Sequence, residues 1–221
     1  KGSYDYGTEF KTWMQNNGYS DLAAGRGWGG FDKNDSSSCR SHISRKPVIL
    51  IHGSGGSSDL FIILKNYLLN NGYHKCELYA VSYQKNIAEA GTSNNYYSAS
   101  RLAWVRKFVK AVLGYTGASK VNVIGWSMGV NIGRKAIHGG VAYEDEDRKN
   151  GCRLGDSIKN KVNIFIGLMG ATYGLKQCQG ITNGNCNENG FTLDNAFSKE
   201  LNGGTIGGNV NKNPVAAQYV Y

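Results

Sequence analysis

Hydrophobic and polar positions fall into two alternating rhythms over the middle of the chain. Pro47-Val48-Ile49-Leu50-Ile51 is a short, wholly apolar and largely β-branched run. That is the pattern of a strand buried on both faces of a parallel sheet. Cys76 to Tyr83, Lys120 to Ile124 and Val162 to Leu168 read as strands of the same kind. Between them lie helical segments: Leu60 to Leu69, closed by Asn71-Gly72, then Ser98 to Val112, and then Val130 to Ile137. In the second of these, Leu102, Val105, Phe108, Val109 and Val112 share one face, and the pattern stops near Gly114. Strand and helix alternating at these lengths predict βαβ units, hence an α/β fold with a mostly parallel central sheet and helices on both faces.

The flanks are less regular. Residues 1–46 read as an N-terminal extension, with a short amphipathic helix around Phe10 to Met14 stopped at Gly18, then a loop from Gly25 to Arg45. Residues 47–175 form the predicted core, and 176–215 a Gly- and Asn-rich loop segment in which Phe191 to Leu201 suits a helix. Residues 216–221 read as the start of a further strand, so a single domain is expected whose sheet is incomplete at the C-terminus.

At 221 residues, 40% hydrophobic and 19% charged, the chain suits one globular domain with a continuous core. No apolar run approaches the length of a membrane span. The net charge of +9 is spread along the chain without a basic block or a basic stripe interleaved with aromatics. A solvated basic surface is therefore expected rather than a nucleic-acid partner. The five cysteines show neither a CxxC pair nor a zinc-like cysteine–histidine spacing, and no metal or cofactor is expected. Cys178 and Cys186 lie eight residues apart in the Gly/Asn-rich stretch and are expected to be bridged. Cys39, Cys76 and Cys152 stay unassigned. Disulfides, together with the sequon Asn34-Asp35-Ser36, favour a secreted, extracellular protein over a cytosolic one with reduced thiols.

The chemistry centres on Gly125-Trp126-Ser127-Met128-Gly129. GxSxG is a short motif; its placement between a predicted strand and a predicted helix makes it the nucleophile elbow of an α/β-hydrolase. Gly125 and Gly129 leave room for a sharp turn, and Ser127 stands at the carboxyl edge of the sheet, where open α/β sheets bind ligands. The helix amino end behind it favours developing negative charge. His52-Gly53-Ser54, after the strand at Val48, supplies the second half: the backbone N–H groups of Ser54 and Met128 are the expected oxyanion-hole donors. His52 and Gly53 are expected to shape that loop.

A serine nucleophile needs a general base, normally a histidine oriented by a carboxylate that follows the serine in the chain. The one histidine after Ser127 is His138, eleven positions along the same helix and so roughly 16 Å away. Asp145, Asp147 and Asp156 precede the strand at Val162, on the side away from the catalytic edge; Asp194 and Glu200 fall in the irregular segment. Nucleophile and oxyanion loop are therefore read without an acid or a base.

Several segments carry a family resemblance. Phe10-Lys11-Thr12-Trp13 with Asn17-Gly18-Tyr19, Pro47 to Gly53, Arg106 to Lys120, Ser127-Met128-Gly129 and Phe165 to Leu175 resemble the secreted class 2 lipases of nematodes. The resemblance implies a minimal α/β-hydrolase acting on an ester or lipid substrate, with Ser127 as nucleophile and Ser54 and Met128 as backbone donors. It also implies that the acid and histidine lie beyond Tyr221, so a C-terminal companion fragment is an expected partner. Trp126 stands where many relatives have histidine. The expected function is a serine carboxylic-ester hydrolase working through an acyl-enzyme; the alternative is an inactive binding or storage protein on the same scaffold.

Overall fold

The computed structural model describes residues 5–30, 39–83, 96–182, 184–203, 205–206, 209–210 and 219–220. The sequon at Asn34 lies outside the described residues. In chain order come α1 (Thr8–Asn16), the single turn α2 (Ser20–Ala23), β1 (Gly27–Gly29), β2 (Val48–Ile51), α3 (Ile62–Asn70) and β3 (Leu78–Val81). They are followed by α4 (Ala99–Thr116), β4 (Val121–Trp126), α5 (Met128–His138), β5 (Gly140–Tyr143), β6 (Gly151–Gly155) and β7 (Val162–Leu168). Last come α6 (Ala196–Leu201), β8 (Thr205–Ile206), β9 (Asn209–Val210) and β10 (Tyr219–Val220).

Among the described residues, six strands form one sheet in the order β1-β3-β2-β4-β7-β10, with two small hairpins, β5-β6 and β8-β9, besides. All neighbours in the large sheet run parallel except β1, which joins β3 antiparallel at the edge. The expected α/β architecture is present. Strand alternation explains its layers, because successive side chains point to opposite faces. Ile49 and Ile51 enter one core with Val81, Val123, Phe165 and residues of α1, α4 and α5; Val48 and Leu50 enter the other with Leu78, Ala80 and the Leu64 and Leu68 face of α3.

Several expectations are corrected. The Gly-rich stretch expected as loop contains β1, and its glycines are there for proximity: a β-carbon at Gly27 would lie 2.1 Å from Tyr6 Oη. Within the N-terminal stretch, Phe10, Met14 and Leu22 are buried in one core cluster and Trp28 in the other. Residues Lys75–Glu77 form a 3-10 turn rather than strand, capped by His74 and by the buried Glu77 carboxylate. The β5–β6 hairpin, which carries no strong apolar alternation, was not expected. The helix expected at Phe191 to Leu201 shortens to α6, which starts where the Asn195 side chain accepts from Ser198 N.

The Gly/Asn-rich segment is held by bonds that its composition does not advertise. Cys178 is joined to Cys186, and Cys39 to Cys76, leaving Cys152 free and exposed. Buried Asn189 donates from Nδ2 to the carbonyls of Tyr97, Tyr143 and Asp145 at 3.0–3.3 Å. Three segments remote in sequence are thereby tied through one amide.

Candidate active site

β2 and β4 are adjacent and parallel, with Ile51 opposite Gly125, so the loops that follow them leave the same edge of the sheet. Ser127 occupies the turn between β4 and α5 with φ 53° and ψ −123°. A non-glycine residue held at positive φ stores on the order of 1–3 kcal/mol of backbone strain. The surroundings hold it there: Ser127 N donates to Leu168 O at 2.8 Å, and Val130 N donates to Ser127 O at 3.1 Å. α5 then runs away from the serine for eleven residues, with Met128, Gly129 and Val130 buried in its first turn.

The β2 loop presses against this turn so tightly that neither partner could carry a side chain at the contact. A β-carbon on Gly129 would sit 2.2 Å from Ile51 O and 2.4 Å from His52 O. One on Gly53 would sit 2.9 Å from Ser127 Cβ, and one on Gly125 2.7 Å from Gly129 O. Gly53 is therefore next to the serine side chain. Ser54 follows it, exposed at the start of the turn that Gly56 N closes on Gly53 O at 3.2 Å. This arrangement brings together His52, Gly53, Ser54, Gly125, Ser127, Met128 and Gly129.

His52 is fully buried. Its Nδ1 lies 2.7 Å from the Gly53 carbonyl, which can only accept, so Nδ1 carries the proton. Nε2 has no hydrogen-bond partner. Burial pushes the imidazole pKa down to about 4; the Arg101 charge adds to this, and the bond to Gly53 opposes it. Tyr83 stacks on the ring, with centroids 4.1 Å apart and planes 3° from parallel, and its hydroxyl donates to His52 O at 2.8 Å. Sequence reasoning missed Tyr83, whose only signal was an aromatic at the end of a predicted strand. It also missed Asn131 of α5, which donates to Ala171 O and Tyr97 Oη at 2.9 Å and so ties the segment after β7 to the helix that follows Ser127.

The other histidines are elsewhere. His138 is the last residue of α5, and the helix rise puts it about 16 Å from Ser127. His42 and His74 stack on one another with centroids 4.8 Å apart; His42 is exposed and His74 half-buried. His52 Nε2, the nitrogen left free to accept a proton, is buried and makes no hydrogen bond to Ser127 or to any other group. Among the described residues, no group of three or more His, Cys, Asp or Glu side chains is placed to hold a metal ion.

Ser127 thus sits at positive φ between a strand and a helix, with the glycine loop after β2 packed on it. The family model for Lipase (class 2) matches residues 45–210, which spans β2 through β9 and includes both loops. This chain belongs to the class 2 lipase family. Solved lipases share its fold. Aspergillus fumigatus lipase B superposes with a TM-score of 0.52 at 17% identity, over 85% of this chain and 39% of that one. The mature form of Bacillus licheniformis lipase BlEst2 gives 0.51 at 17%, over 80% and 64%. Its propeptide form gives 0.51 at 15%, over 80% and 35%. The class 2 lipase chain described here thus spans less than two thirds of the length of each of these structures. Within it, no helix among the described residues is long and apolar enough to cross a membrane.

Proposed function

We propose that this class 2 lipase is a serine carboxylic-ester hydrolase that forms an acyl-enzyme on Ser127. The observation that carries the reading is the strained φ of Ser127 beside Gly53, because only such a turn lifts a serine hydroxyl clear of the sheet edge. In this mechanism the hydroxyl attacks the ester carbonyl carbon, and the N–H groups of Ser54 and Met128 receive the oxyanion. Losing one such donor typically costs about 2.7–4 kcal/mol of transition-state stabilisation. The alcohol leaves, water hydrolyses the acyl-serine, and Ser127 regains its proton. Leu168 at the end of β7, and Met169 and Tyr173 on the segment after it, are exposed and support an apolar acyl chain. Leu168 belongs to this rim because its carbonyl holds Ser127 N.

The proton acceptor in this proposal is a histidine beyond Tyr221, oriented by an acid that is also beyond it. Support comes from the sheet: β10 adds parallel to β7, with Tyr219 opposite Ile164, at the edge where a later strand of this fold would deliver the acid. The two disulfides support an extracellular setting.

The test is labelling by a fluorophosphonate probe of the 221-residue chain and of a longer or companion-completed form. Labelling of the completed form that is lost in Ser127→Ala and kept in His138→Ala is the expected result. Labelling that persists in Ser127→Ala would overturn the nucleophile assignment. No labelling in any form would favour a binding protein on the lipase scaffold, and strong labelling of the 221-residue chain would point to a base within it.

A further inference from the structure

At the far end of α5 from Ser127, a half-open cavity of about 380 Å³ lies among the end of that helix, the β5–β6 hairpin and α6. Its chemistry is lopsided. Lys135 Nζ and the Arg148 guanidinium both contact one carboxylate, Glu200, the lysine at 2.6 Å. The two cationic side chains are only 3% and 8% exposed, and Glu200 is 22% exposed. Two buried positive charges thus share one carboxylate, Arg148 also donating to Asn189 Oδ1 at 3.5 Å. A third stands behind the wall: Arg106, 5% exposed, has Nη2 3.3 Å from where a β-carbon on the lining residue Gly155 would sit. Its Nη1 donates to the Ala136 carbonyl and its Nη2 to the Asp156 carbonyl, while its Nε has no hydrogen-bond partner. At the rim, Arg153 and Asp156 form a 3.6 Å pair that is almost wholly in solvent.

Cations withdrawn from water without matching anions are costly, and proteins normally neutralise them or give them a ligand. Here the imbalance has been built rather than relieved. Arg148 is one of the few non-glycine residues at positive φ, 58°, and its guanidinium lies 4.3 Å from the centroid of the Tyr143 ring. Glu200, Asn189 and the Tyr143 ring hold the guanidinium at the cavity. Burial pulls Lys135 below the ordinary lysine pKa, with the Glu200 charge acting against that pull. Three donors on an ammonium, of which Glu200 accepts one, leave hydrogens for a second acceptor.

We propose that this cavity binds a small oxyanion, a carboxylate or a phosphate, on Lys135, Arg148 and Arg153. Planar guanidinium groups match both of these acceptors bidentately. An occupant would bridge the C-terminal end of the nucleophile helix to the β5–β6 hairpin and to α6. The inference does not depend on ester hydrolysis.

Isothermal titration with sodium phosphate and with sodium hexanoate, each against chloride at matched ionic strength, tests the site and distinguishes the two sources. One saturable site is expected, for one or both oxyanions and not for chloride. Removing a competing carboxylate, in Glu200→Gln or in the solvent-exposed Asp156→Asn, should tighten binding. Reversing the rim charge in Arg153→Glu should weaken it about tenfold, the effect of one charge-assisted hydrogen bond. The two rim variants sit in solvent and keep the test valid if Glu200→Gln does not fold. Affinity no better than that of chloride, or the same in all variants, would overturn the proposal and leave Lys135–Glu200–Arg148 as a purely structural network.

Discussion

Acidification charges His52 in a setting that has no place for the charge. The folded imidazole is buried under Tyr83, spends Nδ1 on the Gly53 carbonyl and has no acceptor at Nε2. Its pKa is about 4, against an ordinary histidine value of 6.5. Between those two pH values the unfolded chain binds a proton that the folded chain refuses, so stability falls as pH drops through the window. Above the window His52 contributes fully; below it the contribution is gone. A gap of about 2.5 pH units, at 1.36 kcal/mol each, amounts to roughly 3 kcal/mol. Urea unfolding near neutrality and near pH 4 should measure it, with His52→Asn as the reference. Asparagine offers the Gly53 carbonyl an N–H but does not titrate. Carboxylates that titrate in the same range are common to both proteins and cancel. The wild type should lose roughly 3 kcal/mol more than the variant on acidification. An equal loss in the two proteins would refute the assignment of a buried, neutral His52 in the loop after β2.

Three further outcomes are expected. Gly129→Ala places a carbon 2.2 Å from the Ile51 carbonyl, forcing the β2 loop and the serine turn apart. A displacement on the order of 1 Å should slow probe labelling of Ser127 about a hundredfold, while stability falls by about 1–3 kcal/mol; an unchanged labelling rate would separate the loop from the chemistry. Cys178→Ser with Cys186→Ser opens an eight-residue loop and should cost about 2.5 kcal/mol by chain entropy, read as a lower urea midpoint. Asn189→Ala removes the amide shared by three backbone carbonyls and should destabilise by about 2–3 kcal/mol in thermal melts; an unshifted melting temperature would show that water replaces the amide.

What the sequence determined by itself is the local and the periodic. The apolar runs at Val48, Leu78, Val121 and Val162 could only be satisfied by burial on both faces, which set the parallel sheet and its covering helices. The order strand, Gly125 to Gly129, helix was enough to single out Ser127, because the turn chemistry resides in adjacent residues. What depends on contacts between distant segments was decided by the tertiary structure. Gly27 reads as loop until Tyr6 arrives beside it, and GWG becomes an edge strand. Tyr83 carries no sign of a role until the register of β2 and β3 sets it over His52, thirty-one residues earlier. Asn189, in a stretch whose composition suggests only loop, becomes a buried clamp once three carbonyls converge on it. Lys135 and Glu200 look like surface charges sixty-five residues apart, and only packing of α6 against α5 buries them together. Periodicity records which face of an element is apolar; it holds no information about which polar group will meet another across the fold.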